Sequence, residues 1–215
     1  MKVKICGMRE AANILALADF NPDFLGFIFY QKSVRCASEV LDTELLRSLP
    51  ESIAKVGVFV DAPLPELLAT TSQYSLDYVQ LHGHETPAYC QAARTQGLRV
   101  IKAFSVGDSF DFTTLAAYVS ACELFLFDTK GQHPGGNGHA FDWQLLHGYH
   151  GPTPFLLSGG LGPANVDELL RFQHPQLAGY DFNSLLELAP GLKDVEATAQ
   201  LLARLHAQPS LISSC

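Results

Sequence analysis

An apolar run that stops at a turn residue, followed by a stretch with apolar residues at helical spacing, recurs eight times along the 215-residue chain. The strand runs are Val3–Cys6, Phe24–Phe29, Lys55–Val60, Asp77–Leu81, Leu98–Ala103, Glu123–Phe127, Pro154–Leu157 and Ala178–Phe182. Between them the spacing predicts helices over Arg9–Asp19, from a Ser38 cap through Leu41, Leu45 and Leu49, from Pro65 to about Tyr74, from Thr86-Pro87 onward, and over Asp111–Ala121, Trp143–Gly148, Pro163–Phe172 and Asp194–Ala207. Parallel strands can be joined only by a crossover, so alternation of this kind builds a parallel sheet. Eight units suit a closed barrel, whereas a doubly wound sheet usually stops at about five or six strands. The expected fold class is α/β, a (β/α)8 TIM barrel forming a single catalytic domain over residues 1–207, with 208–215 as a C-terminal tail.

Charge limits the partners. A formal net charge of -8, with no run of Lys or Arg, excludes a nucleic-acid or anionic-membrane surface, because both need clustered cations. An anionic ligand must then be held by a local device. The five cysteines include no CxxC pair and no histidine at metal-ligand spacing, which predicts reduced thiols and no metal. Without a signal pattern or a membrane-length apolar run, a cytoplasmic location is expected.

In a barrel the residues just past each strand share one mouth, so Cys6, Arg35, His82, Asp128, Ser158 to Gly160 and Asn183 to Glu187 should converge. Each also has a plain structural reading: an inert buried thiol, a solvated arginine, a hydrogen-bonded histidine, an aspartate bracing its loop. Ser158-Gly159-Gly160 ahead of a helix says more, since paired glycines let backbone N–H groups approach a phosphate, with Asn183-Ser184 completing the cradle. No such pair follows the third or fourth strand, so one phosphate is expected rather than two. The Gly135-Gly136-Asn137-Gly138 run reads as a loop, and Asp142 as the cap of the helix after it.

Taken in order, Lys4-Ile5-Cys6-Gly7, Lys32-Ser33-Val34-Arg35, Val79-Gln80-Leu81-His82-Gly83, Phe127-Asp128, Gly135 to Gly138, Phe141-Asp142-Trp143, Ser158 to Leu161 and Pro190-Gly191-Leu192-Lys193-Asp194 closely resemble the phosphoribosylanthranilate isomerases of tryptophan biosynthesis. The resemblance implies a cofactor-free Amadori rearrangement of N-(5-phosphoribosyl)anthranilate to 1-(2-carboxyphenylamino)-1-deoxyribulose 5-phosphate. It implies Asp128 as general acid and Cys6 as general base. Arg35 matches the residue that meets the anthranilate carboxylate, in a bidentate fork. Gly159, Gly160, Asn183 and Ser184 match the phosphate site, and Ser158 and His82 fall at mouth positions. The acid must carry a proton near neutral pH, and the thiol needs a lowered pKa to act as thiolate.

The sequence departs from the family twice. Leu185 stands where many members have glycine beside the phosphate, and Val34 where proline is common before the arginine. The Asp181-Phe182-Asn183-Ser184 form is similar to members fused to indole-glycerol-phosphate synthase, so an adjacent or fused synthase is an expectation beside a free-standing chain. Two competing readings are a histidine-pathway aminoaldose isomerase, disfavoured by Cys6 where those enzymes carry an acid, and a catalytically silent barrel that binds a phosphorylated metabolite.

Overall fold

A computed structural model describes residues 1–129 and 143–207. The Gly135 to Gly138 loop, the Asp142 cap, Cys215 and the 208–215 tail lie outside the described residues. Eight parallel strands close on themselves in chain order: β1 (Lys2–Ile5), β2 (Phe24–Ile28), β3 (Ala54–Phe59), β4 (Tyr78–Leu81), β5 (Val100–Val106), β6 (Leu124–Thr129), β7 (Phe155–Ser158) and β8 (Leu177–Phe182). Closure is made by β1 against β8, where Lys4 pairs with Asp181 and Ile5 with Phe182. The barrel expected from the alternation is the fold observed.

Strand side chains alternate between two cores. Phe24, Val56, Tyr78, Ile101, Ala103, Leu124, Leu126 and Leu156 fill the barrel interior. The opposite set, including Ile5, Leu25, Phe27, Val79, Phe125, Phe127 and Phe155, packs outward under the helices. Parity carries the inward face up to the mouth: Lys4 leads to Cys6, Leu126 to Asp128, Leu156 to Ser158 and Tyr78 to Gln80.

Six α-helices are present among the described residues: α1 (Ala11–Ala18), α2 (Thr43–Ser48), α3 (Leu64–Tyr74), α4 (Pro87–Thr95), α5 (Val166–Arg171) and α6 (Val195–His206). Thr86 caps α4 by accepting from Tyr89 N at 3.2 Å, and Asp194 caps α6 by accepting from Ala197 N at 2.9 Å. Three expectations need correction. The second helix starts not at Ser38 but behind Asp42, whose carboxylate accepts from Glu44 N at 2.9 Å. Phe112–Tyr118 and Trp143–Gly148 are 3-10 helices rather than α-helices. The Pro163 helix opens as a 3-10 turn, Pro163–Asn165, before α5.

One element was not expected. A hairpin of β9 (Glu187–Ala189) and β10 (Leu192–Lys193) rises after β8 around Pro190-Gly191, with Gly191 at φ 85°. Proline followed by a left-handed glycine is a type II turn signal, and it was present in the sequence.

Where β8 meets β1 the backbones approach so closely that a Cβ on Gly179 would lie 2.1 Å from the Lys2 carbonyl oxygen. Gly179→Ala is therefore expected to destabilise the barrel seam by about 1–3 kcal/mol or more, read as a lowered midpoint in thermal denaturation. The four described cysteines are free thiols. Among the described residues no helix is long and apolar enough to cross a membrane, and no cluster of His, Cys, Asp or Glu could hold a metal ion.

Candidate active site

At the C-terminal mouth, Cys6, Gln80, His82, Asp128, Ser158, Gly159, Gly160, Asp181, Asn183 and Ser184 line a cleft of about 250 Å³. Eight of the nine site residues named from the sequence share it. Arg35 does not line it.

Cys6 follows β1, its N–H donating to Phe182 O at 2.8 Å, and its side chain is 4 % exposed. Beneath it Lys4 is fully buried, with Nζ 2.8 Å from Asp181 Oδ1. The second Asp181 oxygen accepts from Ser158 Oγ at 3.1 Å. Burial pushes the Cys6 thiol above its ordinary pKa; Lys4 and Lys193 oppose that shift, and Asp181 adds to it. Loss of water on burial is thus the largest influence on the thiol, ahead of either nearby ammonium group. For Lys4, burial acts to lower the pKa, but Asp181 and Cys6 hold it above the ordinary lysine value.

On the opposite wall His82 Nε2 stands 3.3 Å from Asp128 Oδ2, while its Nδ1 meets Gln80 Nε2 at 3.1 Å. The loop carrying His82 is braced from below. Lys102 Nζ donates to Leu81 O at 3.1 Å and Gly83 O at 2.9 Å, and pairs with buried Glu85 at 3.1 Å. Glu85 in turn accepts from Gly83 N and Asp61 N, each at 2.9 Å. Gln80 Oε1 is buried without a partner among the described residues. A free acceptor at the cleft wall can receive a hydroxyl from a ligand.

The wall beyond β7 is built from backbone. Gly159 and Gly160 have φ of 92° and 66°, which only glycine adopts cheaply, and open space lies where a Gly160 side chain would stand. Asn183 is fixed by Lys193 Nζ, which donates to its Oδ1 at 2.7 Å. Leu185 packs on the neighbouring loop, its Cβ 2.7 Å from the point a Gly162 Cβ would occupy. The bulk that replaces a family glycine therefore rests against a residue that has none.

Arg35 crosses over Gly7, where an added Cβ would meet Arg35 Cδ at 3.0 Å and Asn183 Oδ1 at 2.7 Å. Its guanidinium is engaged along one edge by Glu187, with Nε 2.9 Å from Oε1 and Nη2 2.6 Å from Oε2. That edge is not open to a substrate. Nη1 makes no hydrogen bond to another described residue, so the end-on edge is the one that can take a carboxylate. Glu187 also pairs with Lys193 at 2.7 Å; burial acts to raise its pKa, but Arg35 and Lys193 prevail and hold it at about 2.

Residues 3–204 match the family model described as N-(5'-phosphoribosyl)anthranilate (PRA) isomerase. The chain belongs to that family. It is 44 % identical over 200 residues to the PRA isomerase of Parabacteroides distasonis, covering 91 % of this chain and 89 % of that one. Among solved structures, the Thermotoga maritima PRA isomerase superposes with a TM-score of 0.81 at 30 % identity, over 97 % of this chain and 100 % of that one. A PRA isomerase in complex with reduced 1-(o-carboxyphenylamino)-1-deoxyribulose 5-phosphate gives a TM-score of 0.79 at 29 % identity, with the same coverage. Membership in the PRA isomerase family makes the chain an enzyme, an isomerase of tryptophan biosynthesis.

Several residues around the site were given no role of their own from sequence: Lys4, Gln80, Asp181 and Lys193 stood only within motifs, and Glu187 only at the end of the mouth stretch. For the first three a signal existed. Each is polar or charged at an inward position of an otherwise apolar strand, where the bland outcome would be Val, Ile or Leu. For Glu187 and Lys193 the hairpin had to be seen first.

Proposed function

We propose that this cleft opens the furanose ring of N-(5'-phosphoribosyl)anthranilate and moves a proton from C2 to C1, giving 1-(2-carboxyphenylamino)-1-deoxyribulose 5-phosphate. Asp128 donates a proton to the ring oxygen as its bond to C1 breaks and the anilino nitrogen forms the Schiff base. Cys6, as thiolate, removes the C2 proton to give the enolamine. C1 then takes that proton back from the thiol, while the C2 hydroxyl returns one to Asp128. Both groups are restored, and a reaction that only relocates protons draws on no cofactor. The Nε2 of His82 can accept a hydrogen bond from protonated Asp128 when Nδ1 carries the ring proton and Gln80 turns its oxygen toward it.

The phosphate would rest on Gly159, Gly160, Asn183 and Ser184, with Ser158 beside them at the top of β7. Arg35 would meet the anthranilate carboxylate through its end-on edge. The observation that carries this reading is that Cys6, Asp128 and the glycine pair line one cleft small enough for a single pentose phosphate to touch all three. The Parabacteroides relative is matched over most of its own length, which lends no support to a fused indole-glycerol-phosphate synthase. A cytoplasmic setting fits reduced cysteines and a metabolite substrate.

The test is direct. Phosphoribosylanthranilate generated in situ should lose its fluorescence at a rate proportional to the purified protein, and in deuterated water the product should carry deuterium at C1 to the extent that the Cys6 thiol exchanges with solvent. A folded protein that leaves the fluorescence decay at the spontaneous rate would exclude the assignment.

A further inference from the structure

Taking Cys6 as the base, we propose that Lys4, anchored by Asp181, is the counter-ion that lets Cys6 ionise, and that Gly26 leaves the space in which sulfur and ammonium meet. Lys4 lies two residues before Cys6, so both point inward, and its ammonium is the charge that most favours the ionised thiol. A Cβ built on Gly26 would stand 2.8 Å from Cys6 Sγ and 3.1 Å from Lys4 Nζ, which shows how tightly the two converge there. Gly26 is not needed for a turn; it is a strand residue whose missing side chain is filled by this pair.

Stability does not account for a lysine at that place. The barrel interior nearby is apolar, with Val56, Ile101, Leu126 and Leu156, and a buried ion pair is often no better than a well-packed apolar one. A lone buried lysine would shed its proton, and Asp181 prevents that. Other charged groups face Cys6 too. Lys193 and Arg35 approach from β10 and from the loop after β2, but both already share Glu187. Asp181 opposes ionisation from β8, and His82 and Asp128 stand across the cleft. Lys4 is therefore the cation that shares the space beside Gly26 with the sulfur, acting through Cys6 and not on substrate.

The experiment titrates Cys6 without substrate, by the pH dependence of its alkylation with iodoacetamide, followed at the Cys6 peptide by mass spectrometry. Lys4→Met should raise the midpoint by about one unit or more, since an adjacent opposite charge moves a pKa by roughly 1–3 units. Its kcat should fall about tenfold below that midpoint with KM little changed, and its acidic limb should move to higher pH by the same amount. Lys4→Arg should restore part of the shift. Gly26→Ala keeps both ionisable groups but forces them to move, and should also raise the midpoint; it decides the matter if Lys4→Met does not fold. A folded variant of either kind with an unmoved Cys6 midpoint overturns the proposal. Failure of wild-type turnover would instead count against the isomerase assignment of the site, and the alkylation profile would still report on Lys4.

Discussion

Cys6→Ala is expected to lower turnover of phosphoribosylanthranilate by about 10²–10⁴-fold, and Asp128→Asn by a similar factor, as befits loss of one acid–base group. Neither should unfold the protein. Cys6 gives up a small side chain at the edge of the interior, and among the described residues the Asp128 side chain makes a 3.3 Å contact to His82. Circular dichroism and thermal midpoint should stay near wild type while kcat collapses. The two lesions should also combine unequally, because each residue serves a different proton, so restoring one in the double variant should recover little. A Cys6→Ala variant that retained near wild-type kcat would show that the C2 proton leaves by another route.

Those two residues were legible because strand parity is strict. Cys6 and Asp128 each end an apolar run at an inward position, and the eight-strand count sends every such position to one mouth. Gly159 and Gly160 were legible at the mouth for a different reason: two adjacent residues with positive φ require glycine, so backbone geometry leaves a mark in the sequence. What stayed hidden depended on contacts between loops far apart in the chain. Arg35 could be placed at the rim, yet nothing local says that one edge of its guanidinium is taken by Glu187, 152 residues later. The helices beyond β5 and β6 were misjudged because a few leucines or phenylalanines near helical spacing also suit a tight 3-10 turn pressed on the same outer core, and the helix beyond β2 begins later than its leucines suggested because Asp42 caps it. The thiol's raised pKa was hidden too, since burial sets it and burial is known only once the barrel closes.

Glu187→Gln is expected to produce the largest loss of stability among the site variants. The glutamine keeps the shape but leaves Arg35 and Lys193 as facing cations, one of them buried, and removing one member of a buried ion network costs about 3–5 kcal/mol. For a chain of this size that corresponds to a fall in Tm of roughly 6–20 °C. KM should rise as Arg35 loses its anchor, with a smaller effect on kcat. The pH dependence supplies the sign. Glu187 is held at about 2 in the folded protein against an ordinary value of 4.5, so its contribution is complete above pH 4.5 and is lost as pH falls from 4.5 toward 2. The stability gap between wild type and Glu187→Gln should therefore be widest at neutral pH and shrink across that acid window. A gap independent of pH between 2 and 7 would mean that the carboxylate's charge is not what Arg35 and Lys193 depend on.

The ion pair that closes the barrel spans 177 positions of sequence, joining the fourth residue to one near the end of β8. A ribosome must therefore have released β8 before Lys4 can find its carboxylate, and until then the strand leading to Cys6 has no neighbour on one side. Prematurely terminated products would expose a charged, unmatched edge in place of a working pocket. Barrel closure thus waits on the last strand, enforced by topology.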